Sequence, residues 1–337
     1  SNTAFVPDTQ FSKLNPEERK KVQNQNVAGY HARGVWDKVL PIHTCHLQHE
    51  PTNEIRTVIA EWGAENEISF YNMRQHTGWL RNVQIRNTTT GEWMVNIIVG
   101  FENEKLQQRL QTLLLQRFPN LTTLLFTINQ KWNDSIYDLS PQTVWGRGFI
   151  YEKLEDFTFK ISPKSFFQTN TKGAEILYAV ARNFAELDGT QTLYDLYCGT
   201  GSIGIFMSRF ARKVIGVEMI GDAVNDAKEN AAINNIHHAQ FFCGDVINIC
   251  NGDFFATHGK PDVIVTDPPR AGMNEKLVHK LLQVEAPLMV YVSCNPATQA
   301  RDLLLLSTKY EVTQIQPVDM FPHTHQIENV VQLKLKK

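Results

Sequence analysis

Cys294 and Glu328 are the residues whose types and surroundings could support covalent chemistry. Cys294 follows the apolar run Val290-Tyr291-Val292-Ser293 and precedes Asn295-Pro296, so it reads as the end of a strand turning into a helix. A helix N-terminus at that place would lower the thiol pKa, and thiolate is the form that adds to an electron-poor carbon. Glu328 lies between a His-rich loop, Met320-Phe321-Pro322-His323-Thr324-His325-Gln326-Ile327, and a final apolar strand. Partial burial there would raise its carboxyl toward a pKa that suits a proton acceptor, a task for which His323 or His325 could also serve. Asp267-Pro268-Pro269-Arg270 ends another apolar run, and its two prolines hold the chain extended so that Asp267 is aimed into a crevice.

A second group of residues could hold an adenosyl ligand. Tyr194-Asp195-Leu196-Tyr197-Cys198-Gly199-Thr200-Gly201-Ser202-Ile203-Gly204 gives the order strand, glycine turn, helix. Gly199 and Gly201 let the backbone pass close under a ligand, and the following helix offers unpaired N–H groups at its start. Glu218 ends the next strand, about twenty residues past the first glycine, where an acid can accept both ribose hydroxyls. Asp245, after Phe242-Cys243-Gly244, follows the third strand of the series, where an acid can meet the adenine amino group. A nicotinamide dinucleotide would satisfy the glycine turn and Glu218 equally well, so an oxidoreductase stays open beside a methyltransferase at this point.

The elements that must position these groups follow from periodicity. Short apolar strands at Thr192–Tyr197, Lys213–Glu218, Ala239–Cys243, Asp262–Thr266, Leu288–Ser293, Val312–Val318 and Glu328–Leu335 alternate with helical segments. The helices are expected at Lys172–Glu186, Ser202–Phe210, Ile220–Asn234, Asn274–Val284 and Pro296–Ser307. That alternation predicts an α/β fold with a doubly wound, mostly parallel seven-stranded sheet over residues 156–337. Residues 1–155 read as a smaller α+β domain. Alternating Leu80–Arg86 and Trp93–Val99 flank a Thr88-Thr89-Thr90-Gly91 turn, and Glu104–Phe118 is a helix stopped by Pro119-Asn120.

Composition bounds the rest. With 42% hydrophobic and 20% charged residues the chain can bury a sizeable core, and a net charge of −2 argues against gripping nucleic acid with its whole surface. Any RNA surface must be local, with Arg74, Arg81, Arg86, Arg147 and Lys164 as phosphate contacts or as ordinary surface charge. Five cysteines without a C-x-x-C pair suit a reducing compartment, and no apolar run approaches a membrane span, so a cytoplasmic protein is expected. A monomer is the simplest expectation, and no resident metal is expected from the residues present. Ser1-Asn2, without an initiator Met, reads as a cleavage scar, so an upstream portion is expected in the natural protein.

The sequence resembles the RNA 5-methyluridine methyltransferases, the RumA and TrmA type. The likeness covers most of the chain and rests on Ser165-Phe166-Phe167-Gln168-Thr169-Asn170, Asp195 to Gly201, Glu218, Asp267 to Arg270, Ser293 to Pro296 and His325-Gln326-Ile327-Glu328, in the family's order. It implies a class I Rossmann-like methyltransferase fold, S-adenosylmethionine as cofactor, and RNA as partner, with 23S rRNA ahead of tRNA. It further implies that Gln168, Tyr197, Glu218, Asp245 and Asp267 contact the cofactor, together with the turn at Gly199 and Gly201. Cys294 would attack carbon 6 of a uracil and Glu328 would remove the proton from carbon 5, because carbon 5 is too weak a nucleophile to take a methyl group unaided.

Phe166, Arg270 and His325 are the expected substrate contacts; Phe166 or Phe167 could stack on a base. Amino-group methyltransferases usually carry an aromatic residue where this chain has Arg270, which favours a target atom other than nitrogen. Ser202 stands where relatives often have Asn. Many relatives also carry an N-terminal oligonucleotide-binding barrel and four cysteines for an iron–sulfur cluster, of which Cys45 matches the last; its three companions are absent. A non-catalytic RNA-binding module with a vestigial cofactor fold is the alternative from another class.

Overall fold

A computed structural model describes residues 2–7, 26–32, 34 and 39–337. The expectation attached to Ser1 lies outside these residues. The chain divides into two compact units, Ser1–Ile150 with Ser162–Lys164, and Tyr151–Ile161 with Ser165–Lys337.

The first unit is built on β1 (Asn2–Pro7), β2 (Asn26–His31), β3 (Val39–Pro41), β4 (Leu80–Asn87), β5 (Trp93–Val99), β6 (Thr123–Ile128) and β7 (Gln142–Gly146), in the order β3-β2-β1-β4-β5-β6-β7. β4 and β5 form the expected antiparallel hairpin, closed where the Gly91 N–H donates to the Thr88 carbonyl and Gly91 takes a φ of 82°. β6 pairs parallel to β5, a partnership that needs the helix Glu104–Arg117 as its crossover. Asn103 starts that helix by accepting the Leu106 N–H. Its Leu110 and Leu114 pack with Ile55 and Ile59 of the helix Thr52–Glu65 against Val83, Val95, Ile97 and Phe126 of the sheet.

The second unit starts with the hairpin of β8 (Ile150–Leu154) and β9 (Phe157–Ile161). Its main sheet has β10 (Thr192–Leu196), β11 (Lys213–Glu218), β12 (Ala239–Cys243), β13 (Val263–Thr266), β14 (Leu288–Ser293), β15 (Tyr310–Val318) and β16 (Glu328–Leu335), in the order β12-β11-β10-β13-β14-β16-β15. β12 to β14 by way of β10 pair parallel, and the β15–β16 hairpin returns antiparallel to β14. This is the doubly wound α/β fold expected from the alternation of strands and helices. β10, β13 and β14 are buried along their whole lengths, which explains their unbroken apolar runs.

Strand order reverses between β10 and β13, since β10 leads outward to β11 on one side while β13 lies on the other. Side chains at the carboxyl ends of those two strands therefore meet at the switch point where open α/β sheets bind ligands. The helix expected at Ser202–Phe210 is α-helical only to Met207 and ends as a 3₁₀ turn, Ser208–Phe210. In this unit two helices were not expected, Val246–Ile249 and Gly252–His258, both too short to show a helical period, and in the first unit the helix Thr52–Glu65 was not expected either.

Candidate active site

The site lies in the second unit, and antiparallel pairing of distant segments builds it. β14 and β16 pair as far as Ser293 with Asn329, and Cys294 and Glu328 lie one residue beyond that last pair, near enough for the Glu328 charge to raise the thiol. The pairing of these two strands brings the thiol and the carboxylate together from positions far apart in the chain. Beside them, Asn329 Nδ2 donates to Gln299 Oε1 at 2.6 Å.

The Ser-Cys-Asn-Pro sequence folds as it does because each polar atom has a local task. Ser293 Oγ accepts the Asn295 N–H at 3.1 Å, and Asn295 Oδ1 caps the helix Pro296–Leu306 by accepting the Ala297 N–H. Asn295 Nδ2 and Thr298 Oγ1 both donate to the Arg270 carbonyl, at 3.1 and 3.2 Å, stitching the cysteine turn to Asp267-Pro268-Pro269-Arg270. The chain after Arg270 is pinned by two residues that sequence reasoning missed. Buried Asp302 accepts the Met273 N–H and the Tyr291 hydroxyl, while Arg301 donates to the Ala271 and Met273 carbonyls. Nothing in their type or spacing sets them apart from an ordinary helix ion pair.

Electrostatics ties the cluster together. Burial pushes the Glu328 carboxyl up to about 7, opposed by the Arg270 guanidinium. Asp267 is pushed up to about 8, by burial and then by the charges of Glu328 and Asp195. The Cys294 thiol is raised, first by burial and then by Glu328 and Asp267, with Arg270 opposing. This corrects the expectation of a lowered thiol pKa: burial raises the thiol first, and two carboxyls then outweigh one guanidinium. Arg270 is exposed and donates to Gln326 Oε1 at 2.6 Å, and Gln326 in turn contacts exposed His325.

The glycine turn lies at the end of β10. Tyr197, Gly199 and Gly201 all take left-handed backbone angles, at φ 61°, 53° and 78°. A Cβ at Gly199 would point into open space, whereas one at Gly201 would press on the Phe241 ring at 3.0 Å. Glu218 closes over this turn, its Oε2 accepting the Gly199 N–H at 3.1 Å and its Oε1 the Ile220 N–H at 2.9 Å. Asp245 is exposed beyond β12 and caps its short helix by accepting the Ile247 N–H. Gln168 is half-buried two residues before Asn170, which caps its own helix and donates to the Met320 carbonyl at 2.7 Å. Phe166 is 65% exposed, while Phe167 is buried against Phe159.

Two more residues belong to this group. Asp195 is fully buried at the end of β10; its Oδ2 accepts the Gly204 N–H at 2.8 Å, and Oδ1 has no partner. Burial pushes its carboxyl up to about 7, with the Gly204 N–H opposing and Glu218 adding. Tyr178 is buried, shares a hydrogen bond with Ser202 Oγ at 3.1 Å and senses Asp267, Asp195 and Glu328. Asp195 stood inside a quoted motif, but its burial is not visible in sequence, and Tyr178 reads as core on an amphipathic helix. Buried polar atoms without partners, Asp195 Oδ1 and Thr200 Oγ1, beside a turn open to a ligand fit a small polar adenosyl cofactor.

The described residues contain no group of three or more His, Cys, Asp or Glu arranged to hold a metal, and Cys45 is a half-buried free thiol, so no cluster chemistry is assigned to them. Among them, no helix is long and apolar enough to cross a membrane.

The sequence profile of the tRNA (uracil-5-)-methyltransferase family matches residues 142–247 and 253–336. An RNA methyltransferase of Bacteroides thetaiotaomicron is 48% identical over 96% of this chain and 72% of its own length. Another, from Porphyromonas gingivalis, is 44% identical over 90% of this chain, which spans 66% of that relative. Among solved structures, Pyrococcus abyssi tRNA (uracil-54, C5)-methyltransferase in complex with S-adenosyl-L-homocysteine superposes with a TM-score of 0.76 and 29% identity, over 99% of this chain and 74% of that one. A profile matched over more than half of the chain, and relatives this similar over nearly all of it, show that the chain belongs to the tRNA (uracil-5-)-methyltransferase family, a family of RNA-modifying enzymes.

Proposed function

We propose that this chain methylates carbon 5 of a uridine in RNA through a covalent adduct between Cys294 and carbon 6, with S-adenosylmethionine as cofactor. The observation that carries the reading is the gathering of Cys294, Glu328, Asp267 and Arg270 where β14 and β16 end their pairing, each of the three charged groups acting on the thiol. Tyr197, Gly199, Gly201 and Glu218 would hold the cofactor at the turn after β10, with Gln168, Asp195, Asp245 and Asp267 completing the site. When bound, the cofactor supplies an electrophilic methyl group.

Cys294 thiolate adds to carbon 6 of the uracil, and the electron pair of the 5,6 double bond moves to give an enolate in which carbon 5 is nucleophilic. Carbon 5 then takes the methyl group. Glu328, ionised, removes the remaining proton from carbon 5; the double bond re-forms, and the bond from carbon 6 to sulfur breaks to release thiolate. Because the free thiol is raised, its proton must leave as the substrate docks. That proton passes to solvent, and Arg270 is the cation that favours thiolate, so Glu328 stays ionised for the later step. Phe166 and His325, both exposed, are available to contact the substrate nucleotide.

The second unit is the catalytic domain in this reading, and the first unit handles the RNA. We place the target in 23S rRNA, from the overall likeness to the rRNA enzymes, with a single copy of the chain at work. A tRNA target is the second reading, favoured by the archaeal neighbour, which is named for tRNA uracil. Mapping 5-methyluridine in the RNA of a deletion strain decides between them. The reaction itself is tested by incubating the protein with labelled S-adenosylmethionine and total RNA from that strain. Label in 5-methyluridine is expected after nuclease digestion; label on an adenine or guanine amino group would overturn the assignment.

A further inference from the structure

The first unit holds an aromatic side chain in a place that its own core does not use. Trp132, in the segment after β6, is 81% exposed, the most open of the large apolar side chains described. Its ring lies flat on His76, with centroids 4.7 Å apart and planes 5° from parallel. Behind His76, the Tyr71 hydroxyl stands 3.2 Å from the imidazole Nδ1, and the Arg81 guanidinium lies 4.0 Å from the Tyr71 ring centre. Arg81 is buried and donates to the carbonyls of Asn129, Lys131 and Asn133 and to Asp134, so the turn carrying Trp132 is fixed from beneath. His76 adopts a left-handed φ of 54°, an uncommon angle outside glycine. An indole held in place while facing water leaves apolar area unburied, and its open face is ready for a ligand.

The hollow beside this stack, about 610 Å³, adjoins a smaller one of about 170 Å³, and Asp134 lines both. Arg86 and Lys164 line the smaller hollow. The hydrogen bond that the Arg86 guanidinium makes is a long one, 3.5 Å to the Pro163 carbonyl, and burial pushes its pKa down to about 10. Lys164 Nζ donates to the Tyr137 carbonyl at 3.1 Å. An arginine set into a hollow without a carboxylate partner is short of acceptors.

We propose that the two hollows form one docking site for single-stranded RNA, in which an unstacked base lies on the outer face of Trp132 and an adjoining phosphate is taken by Arg86. A single strand supplies at every step a flat π-face and an anion that only accepts hydrogen bonds, which are the two things that an open indole and an under-partnered guanidinium lack. The proposal rests on the reading of this chain as an RNA methyltransferase and adds where the RNA is gripped away from the reacting uridine.

The test uses the full chain and a fluorescein-labelled single-stranded RNA of about 20 nucleotides, long enough to cover one such site. Trp132→Ala should weaken binding about 5- to 100-fold, with Trp132→Phe recovering most of the loss and both variants melting like the parent. Arg86→Gln should lower the slope of log affinity against log salt by about 1. Trp132→Ala binding within twofold of the parent, an unchanged salt slope for Arg86→Gln, or no binding of this RNA by the parent would each overturn the proposal. So would a protein partner lost from Trp132→Ala while RNA affinity stays. Cys294→Ala separates the two readings: if it loses methylation while Trp132→Ala binds RNA normally, the docking site falls and the uridine chemistry stands. If Trp132→Ala weakens binding while Cys294→Ala still methylates, the reverse holds.

Discussion

The two units treat their charged and aromatic groups in opposite ways. In the second unit, Asp195, Asp267 and Glu328 are drawn in at the ends of the strands and pushed toward neutrality, while Arg270, at the rim, opposes the rise at Glu328 and Cys294. In the first, Trp132 faces water over His76, and Arg86 sits in a hollow with one long hydrogen bond. Making and breaking a bond to carbon needs groups whose protons are loosely held near neutral pH, and only a desolvated setting moves a carboxyl that far. Gripping a polymer asks for open faces and donors without acceptors. On the two proposals, one chain separates chemistry from grip, and each side can be broken without the other.

The severest break is at the sulfur. Cys294→Ala should lower methylation by on the order of 10⁴-fold or more, since the proposed adduct forms on its sulfur. RNA containing 5-fluorouridine, which has no carbon 5 proton to lose, should trap the parent as a gel-stable complex and fail to trap this variant. Trapping by Cys294→Ala would place the nucleophile elsewhere.

Glu328→Gln comes next, and it stops a later step. An amide cannot take the carbon 5 proton, so turnover should fall by about 10²- to 10⁴-fold while a covalent complex with ordinary uridine RNA accumulates. If turnover falls without any adduct, the glutamate acts before the attack of sulfur and its assigned role is wrong.

The sheet was legible because β10, β13 and β14 are buried along their whole lengths, which writes continuous apolar runs between turn residues. The parallel partnership of β5 with β6 was not, since a crossover pair leaves no hairpin turn to read. Cys294 and Glu328 could be named as candidates from their contexts, yet what brings them together is β16 returning beside β14, a fact of topology that no local pattern states. The direction of the thiol pKa was misread for the same reason. The helix start at Asn295 is visible in sequence, whereas the burial that raises the thiol, and the two distant carboxyls that add to it, come only with the fold. Asp302, buried beneath the Pro-Pro turn, shows the limit most plainly: its importance lies in the N–H and hydroxyl it meets, and those meet it only after folding.

A smaller effect follows from pH. Glu328 has its folded pKa raised to about 7, so the base form disappears below that value. The rate of the proton-removal step should fall about tenfold per pH unit below 7 and level off above it. Arg270→Ala removes the cation that opposes the shift, so the limb should move to higher pH; a limb that stays in place would mean that Arg270 does not act on Glu328.

The smallest effect is on stability, where the neutral setting of the second unit carries a cost. Asp267 ionises near its ordinary value of 3.8 when unfolded but only at about 8 when folded. Its contribution is therefore fully present below pH 3.8 and is lost as pH rises through 8, because the unfolded chain is favoured by ionising first. Asp267→Asn removes that dependence. The variant should be inactive, yet at pH 8 its melting midpoint should exceed that of the parent by a few degrees, roughly 2–4 °C for each kcal/mol recovered, and the gain should vanish at pH 4. An equal gain at both pH values would show that the asparagine packs better and that charge is not the cause, and it would remove Asp267 from the set of carboxyls held neutral beside the reacting sulfur.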